Sequence, residues 1–277
     1  MSENERIIGI VNYGGDEALR ITDLLAEKLT KAGLIPVTNI ETECLPSVIV
    51  VIGGDGSLLR TLRRLGFPDI PFVGINTGHL GFFQELNEED LDDFVEKYLR
   101  GEYERQSLRT VSGVIETKDE GKSKGEKKTV YALNELMIKA ADSRLAHLEV
   151  YIGEHLIEKF HGDGIVISTP AGSTAYNYAL GGSIVDPRLE LLQLTPLAPV
   201  NTTAYRSFTS GIVLPPGLPI RVIPAMEGEI FIAADSNEEK LPGILSIEAG
   251  LSEKSITLLR FKSYEFWTTV KQKLLTL

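Results

Sequence analysis

The chain has 277 residues, 43% of them hydrophobic and 24% charged, values that exclude a disordered chain and a collagen-like fibre. At roughly 100–200 residues per domain, the length allows one large domain or two ordinary ones, with core enough to need no covalent staples. Lys and Arg total 28 against 39 Asp and Glu, a net charge of −11. This argues against a duplex-DNA or anionic-membrane binder but leaves nucleotide substrates open, since backbone amides and a few cations hold phosphates locally.

Arg6–Val11 (RIIGIV) reads as a buried strand, followed by turn chemistry at Asn12-Tyr13-Gly14-Gly15. Glu17–Lys31 places Leu or Ile at 19, 21, 24, 25 and 29, close to helical spacing, with Gly33 as a stop signal. Ser47–Ile52 (SVIVVI) is short, apolar and β-branched, as a central parallel strand should be. Gly53-Gly54-Asp55-Gly56 follows, then a helix over Ser57–Leu65 with Leu58, Leu62 and Leu65 on one face. Phe72–Ile75 reads as a third strand and Asn87–Arg100 as an amphipathic helix with an acidic first turn. Strand–helix alternation of this kind predicts an α/β layer.

From about Gln106 to Leu245 the pattern becomes short β-type runs separated by turns. They include 110–117, 130–139, 148–152, 165–169, 211–214, 220–223 and 229–233. Lys118–Lys128 (KDEGKSKGEKK) reads as an exposed hairpin loop. Ser255–Phe261 is one more strand, and Phe266–Leu275 has helical spacing. The fold class expected is an α/β N-terminal domain plus a β-rich, β-sandwich-like second domain. The expected boundaries are 1–105, with 255–277 packing back on it, and 106–254.

A single Cys, Cys44, forms no internal disulfide, and with four His it builds no Cys-rich zinc site. No segment approaches the ~18 apolar residues of a membrane span. The acidic start lacks the features of a secretion signal, and the expected compartment is the reducing cytoplasm. The Walker-type loop, the common dinucleotide fingerprint, the nucleophile elbow and paired His ligands are all absent from the sequence.

Three constellations carry chemistry. Gly53-Gly54-Asp55-Gly56-Ser57 offers close backbone approach, a helix N-terminus for phosphate and one carboxylate at the end of a buried strand. That carboxylate can hold Mg²⁺ or accept a proton from an attacking hydroxyl. The same residues also read as a plain strand–turn–helix connection. Asp163–Tyr176 runs from a strand into a Pro-Gly turn rich in small hydroxyl residues, where Ser173 or Thr174 could cap a helix and Tyr176 could meet a flat base. It reads equally as a capped turn. Asn134 and Glu135 are adjacent polar residues inside an apolar strand, so alternation sends them to opposite faces. Buried polar groups need partners, and either a polar ligand or a structural hydrogen bond would supply one.

In this order the motifs resemble the NAD kinase family. The match is Gly-Gly-Asp-Gly-Ser at 53–57, Gly-Ile-Asn-Thr-Gly-His-Leu-Gly-Phe at 74–82, Asn134-Glu135, the block at 163–176 with Gly181-Gly182, Leu197-Ala198-Pro199 and Asp235. Gly-Gly-Asp-Gly alone is shared with phosphofructokinases and lipid kinases; the 163–176 block with Asn-Glu upstream is far more specific. The resemblance spans about residues 5–270. It implies an NAD kinase-like fold with the site between its two domains. It implies transfer of the γ-phosphoryl group of ATP, or a phosphoryl group of polyphosphate, to the adenosine 2′-hydroxyl of NAD, with a divalent metal such as Mg²⁺. It also implies assembly as a homodimer or homotetramer through the second domain.

By the same resemblance Asp55 is the catalytic carboxylate, and Gly56 and Arg60 lie along the nucleotide. Asn134 and Glu135 contact NAD, with Asp163 near its nicotinamide half. Thr174, Ala175, Tyr176, Asn177 and Ala179 line the adenine and ribose pocket, with Ala198 beside it. Arg144 falls where the family often has a basic or imidazole contact. The departures are Ser57 for the usual Thr, His161 for a frequent Arg, Ala179 for a frequent Ser, and Ser236-Asn237 for a frequent Gly-Gln. Asn237 could replace that amide with shorter reach. Two other readings share parts of the pattern: a kinase of a sugar phosphate or lipid, which lacks the 163–176 block, and an NAD(P)-binding module without chemistry, against which the intact Gly-Gly-Asp-Gly argues.

Overall fold

The computed structural model describes residues 6–41, 45–78, 81–118, 125–141, 144–203, 205–226, 229–262 and 264–275. Cys44 and residues 119–124 of the expected loop lie outside the described residues. In chain order the elements begin with β1 (Ile7–Val11), α1 (Asp16–Lys31), β2 (Ile35–Val37), β3 (Val48–Ile52), α2 (Asp55–Arg64), β4 (Pro71–Ile75) and α3 (Leu91–Arg100). The strands β5 (Glu104–Thr117), β6 (Glu126–Ala132), β7 (Glu135–Ala140), β8 (Ala146–Ile152), β9 (His155–Gly162) and β10 (Gly164–Ser168) follow, then the short α4 (Tyr176–Ala179). The remainder is β11 (Leu192–Leu197), β12 (Ile212–Leu214), β13 (Ile220–Pro224), β14 (Ile230–Ala234), β15 (Asn237–Leu241), β16 (Ile244–Arg260) and α5 (Phe266–Val270). The chain divides into two compact units, 1–108 with 254–277 and 109–253.

In the first unit, β2, β1, β3 and β4 form a parallel sheet, and Thr257 and Leu258 of β16 pair with β4, also in parallel. All five residues of β3 are buried, as expected for a parallel strand covered on both faces. Ile8, Ile10, Val48, Val50, Ile52, Val73 and Ile75 alternate onto one face and meet Ile21, Leu25 and Leu29 of α1 and Phe94 of α3. Leu19, expected on that apolar stripe, is instead half exposed; the stripe is Ala18, Ile21, Thr22, Leu25 and Leu29. Helix α2 starts two residues earlier than its spacing suggests, so Asp55 sits in its first turn, where a negative charge meets the positive end of the helix dipole.

In the second unit, β12-β11-β10-β7-β14-β15 form one antiparallel sheet. The strands β9, β8, β13 and the first half of β16 form part of another. Leu136, Ile138, Ile165, Ile167, Leu194 and Ile232 of one sheet share a core with Leu148, Val150, Phe160, Ile220 and Val222 of the other. This is a β-sandwich. The expected single run 130–139 is corrected: it breaks at Leu133–Asn134 into β6 and β7. The reason lies a hundred residues away, where the Asp235 carboxylate accepts the N–H groups of Leu133 and Asn134, each at 2.7 Å. Ser173 caps no helix. Its Oγ donates to the Val185 carbonyl at 3.2 Å and accepts the Val185 N–H at 3.0 Å.

Candidate active site

Asp55 is held by four residues of its own unit. Its Oδ2 accepts the Phe82 N–H and its Oδ1 the Phe83 N–H, both at 3.0 Å. Lys273 Nζ donates to Oδ2, also at 3.0 Å. Gly81 completes the seat by lacking a side chain: a Cβ there would lie 2.4 Å from Oδ1. Gly53, at φ 143°, turns the chain from β3 into this seat. Gln84 Nε2 donates to the Gly54 carbonyl at 2.8 Å, fixing the loop before α2. Gly56 is exposed beside Asp55. The Arg60 guanidinium lies 4.2 Å from the centre of the Tyr13 ring, a cation–π arrangement.

Behind the carboxylate stands Arg260, buried to 3% exposure. Its two terminal nitrogens donate to the Phe82 carbonyl at 3.1 Å and the Phe83 carbonyl at 3.2 Å, and its Nε to Gln106 at 2.8 Å. Glu85 Oε2 is 3.7 Å away. Burial raises the Glu85 carboxyl above its ordinary value, against the pull of Arg260. Sequence reasoning missed Arg260 and Lys273, and held Gly81 only as part of the 74–82 match, without a role. The first two sit in what reads as an ordinary strand and helix, and only folding brings them to Asp55.

The second unit carries a separate polar cluster. Asn134 and Glu135 are both buried, and Asn134 Oδ1 and Glu135 Oε2 have no hydrogen-bond partner among the described residues. The Asn134 backbone is clamped from both sides: its N–H by Asp235, its carbonyl by the Thr169 N–H at 2.9 Å. Burial, and then the charge of Asp235, push the Glu135 carboxyl up to about 8, although the Tyr176 N–H bonds it. Glu135 is therefore largely protonated at neutral pH. Buried acceptors left open in this way are costly unless something fills them. Glu135 lines a cavity of about 260 Å³ together with Met137, Lys139, Tyr176, Ala233, Ser236 and Glu238.

The other expected site residues distribute around this unit. Thr174, Ala175 and Ala179 flank the exposed Tyr176. Asn177 is fully buried and its amide is engaged internally: Thr195 Oγ1 donates to Oδ1 at 2.7 Å, and Nδ2 donates to the Ser183 carbonyl at 3.4 Å. Asp163 is exposed at the start of β10. Ala198 is exposed at φ 45°. Asn237 opens β15 after Asp235 and Ser236, both at positive φ, the geometry of a two-residue hairpin turn. Arg144 lines another cavity of about 220 Å³ together with His147. His161 Nδ1 lies 2.7 Å from His147 Nδ1 and its ring centre 4.0 Å from that of Tyr205. Burial, then His147, hold the His161 imidazole below its ordinary value, so His161 brings less positive charge than an Arg would.

Residues 10–103 match the family model for the ATP-NAD kinase N-terminal domain, and residues 133–256 match that for the ATP-NAD kinase C-terminal domain. The NAD kinase of Finegoldia magna is 34% identical over 279 residues, covering 99% of this chain and all of that one. NAD kinase 1 of Oceanobacillus iheyensis is 34% identical over 265 residues, covering 95% and 96%. Among solved structures, yeast NADH kinase complexed with NADH superposes with a TM-score of 0.84 at 16% identity, covering 99% of this chain and 88% of that one. An Archaeoglobus fulgidus NAD kinase in complex with ATP gives 0.76 at 24% identity, covering 96% and 98%. These two structures share the fold. On both domain models and on relatives matched from end to end, the chain belongs to the ATP-NAD kinase family.

Proposed function

We propose that this chain makes NADP from NAD and ATP, with Asp55 accepting the proton of the adenosine 2′-hydroxyl. One observation carries the assignment of Asp55: at the start of α2 its carboxylate is seated by the backbone amides of Phe82 and Phe83, in a chain of this family. Phosphoryl transfer depends mainly on positioning and charge neutralisation, and no covalent nucleophile is required. In the proposed step the 2′-oxygen bonds to the γ-phosphorus as its proton passes to Asp55. The bond from the γ-phosphorus to the β,γ-bridging oxygen breaks, and ADP leaves with that electron pair. The first-turn amides of α2 favour the donor's phosphates, Gly56 leaves them room, and Arg60 supplies a nearby cation.

The open acceptors of Asn134 and Glu135 support these two residues as the hydrogen-bonding partners of NAD. A protonated Glu135 can donate as well as accept. Tyr176, which lines the same cavity as Glu135, is the proposed aromatic partner of the adenine, and Thr174, Ala175, Ala179, Ala198 and Asn237 are its proposed companions in the adenine and ribose pocket. Asn177 acts by holding that turn in shape, Asp163 serves the nicotinamide half, and Arg144 and His161 are further ligand contacts. His161 adds less positive charge than an Arg would.

A resident metal cage does not fit this donor set. Among the described residues no three His, Cys, Asp or Glu side chains converge, and three donors already occupy the Asp55 carboxylate. Mg²⁺ is proposed to enter with the triphosphate, which it neutralises, and no step is routed through a protein-held ion. No helix among the described residues is long and apolar enough to cross a membrane. The proposed setting is the cytoplasm, on the lone Cys and the acidic composition, and the proposed assembly is a homodimer or homotetramer, checked by light scattering. The activity is tested with a donor–acceptor matrix: ATP or polyphosphate against NAD or NADH with Mg²⁺, reading NADP(H) formed. The expected result is turnover of NAD with ATP; NAD binding with no turnover under any donor would overturn it.

A further inference from the structure

An ionised carboxylate offers about four acceptor sites, two on each oxygen. On Asp55, Phe82 N–H and Lys273 Nζ fill both sites of Oδ2, and Phe83 N–H fills one of Oδ1. Among the described residues this leaves one acceptor site, on Oδ1, beside the side-chain-free Gly81. The Lys273 ammonium also lies over the Phe82 ring, 4.7 Å from the ring centre. It is presented by the wider turn Lys271–Leu275 that continues α5, and α5 is anchored through the buried Phe266, Thr269 and Val270. The same C-terminal segment also grips the Phe82 carbonyl through Arg260 and, at 3.3 Å, through Tyr264 Oη.

Stability does not account for Lys273. Its side chain is 33% exposed and that of Asp55 23%, and ion pairs so open to water contribute little to folding. We propose that Lys273 is a positioning residue for the phosphoryl-transfer step: by filling Oδ2 it leaves Oδ1 as the single proton acceptor and fixes the carboxylate plane toward the acceptor hydroxyl. This rests on the reading of Asp55 as the base. Lysine suits the task because its ammonium meets one oxygen as a compact point charge.

The test uses the full chain with Lys273→Met, Lys273→Arg, Lys273→Gly and, in parallel, Asp55→Asn. kcat and KM are measured for NAD and for MgATP. The expected result for Lys273→Met is a kcat lower by about tenfold to a hundredfold, on the scale of a misplaced catalytic group, with both KM values within about twofold and the melting temperature unchanged. Lys273→Arg should recover most of the rate, and millimolar propylammonium should partly restore Lys273→Gly. A Lys273→Met enzyme with the parent kcat, a faster one, or a loss that neither arginine nor the amine restores would overturn the proposal. If Asp55→Asn abolishes turnover while Lys273→Met keeps it, only the role of Lys273 fails. If Asp55→Asn is fully active, the reading of Asp55 fails and takes this one with it.

Discussion

Arg260 reaches Asp55 through two residues and shares with it one peptide group, that between Phe82 and Phe83. Its guanidinium donates to the Phe82 and Phe83 carbonyls at 3.1 and 3.2 Å, and the N–H groups of the same two residues donate to the Asp55 carboxylate at 3.0 Å. A planar fork suits two adjacent carbonyls, and a lysine ammonium does not. Arg260→Met removes the guanidinium from the Phe83 carbonyl, leaves the Phe82 carbonyl to Tyr264 and takes the Arg260 charge away from the buried Glu85, so it should cost about 3–5 kcal/mol, as for a broken buried pair. Arg260→Lys should cost less in stability yet lower kcat at least tenfold, because the peptides that seat Asp55 lose their fixed geometry. Urea denaturation midpoints and steady-state kinetics separate the two effects.

Gly81→Ala isolates the seat from the fold. The new Cβ would lie 2.4 Å from Asp55 Oδ1 and 2.9 Å from Gln84 Oε1, both ends of side chains that can move. Backbone strain is therefore small and displacement of the carboxylate is large. The expected outcome is a kcat lower by about 10²-fold with an unchanged circular dichroism spectrum and a melting temperature within a few degrees.

How far the sequence anticipates this depends on where each signal resides. Val48–Ile52 and the α1 stripe follow from local periodicity, and so does the approach of Gly53–Gly56 to the end of β3. The break at Leu133–Asn134 shows locally only as the polar pair Asn134-Glu135, with no Gly or Pro to read as a turn, and the acceptor that peels these amides from the ladder is the distant Asp235. The edge strand β9 is equally quiet, since Leu156 and Ile157 are both exposed and break the inside–outside alternation. Lys273 and Arg260 belong to the site only because the C-terminal segment returns to the first unit.

The Asp235–Ser236 turn holds two non-glycine residues at φ 48° and 64°. Asp235 repays its strain by accepting the amides of Leu133 and Asn134, whereas Ser236 is exposed. Ser236→Gly should therefore raise stability by about 1 kcal/mol, seen as an increase of a few degrees in melting temperature, while Asp235→Ala lowers it.

Glu135 makes stability depend on pH. Its carboxyl moves from an ordinary 4.5 to about 8 in the folded chain, so between those values the folded state holds a proton that the unfolded state has lost. Stability from this group is fully present below 4.5 and is lost as pH rises through about 8, with a slope of at most about 1.4 kcal/mol per pH unit. Glu135→Gln lacks that slope. Its melting temperature should gain on the parent's between pH 5.5 and 8; parallel curves for the two proteins would refute the buried, protonated Glu135.

The central claim is that Asp55, seated by Phe82, Phe83 and Lys273, accepts the proton of the hydroxyl that is phosphorylated. The most direct measurement is NADP formation by Asp55→Asn from NAD and MgATP, alongside its melting temperature and its affinity for NAD. The account predicts a fold and an NAD affinity close to the parent's with kcat reduced at least 10²-fold, the scale of a lost general base. Undiminished turnover by the folded Asp55→Asn protein would contradict it.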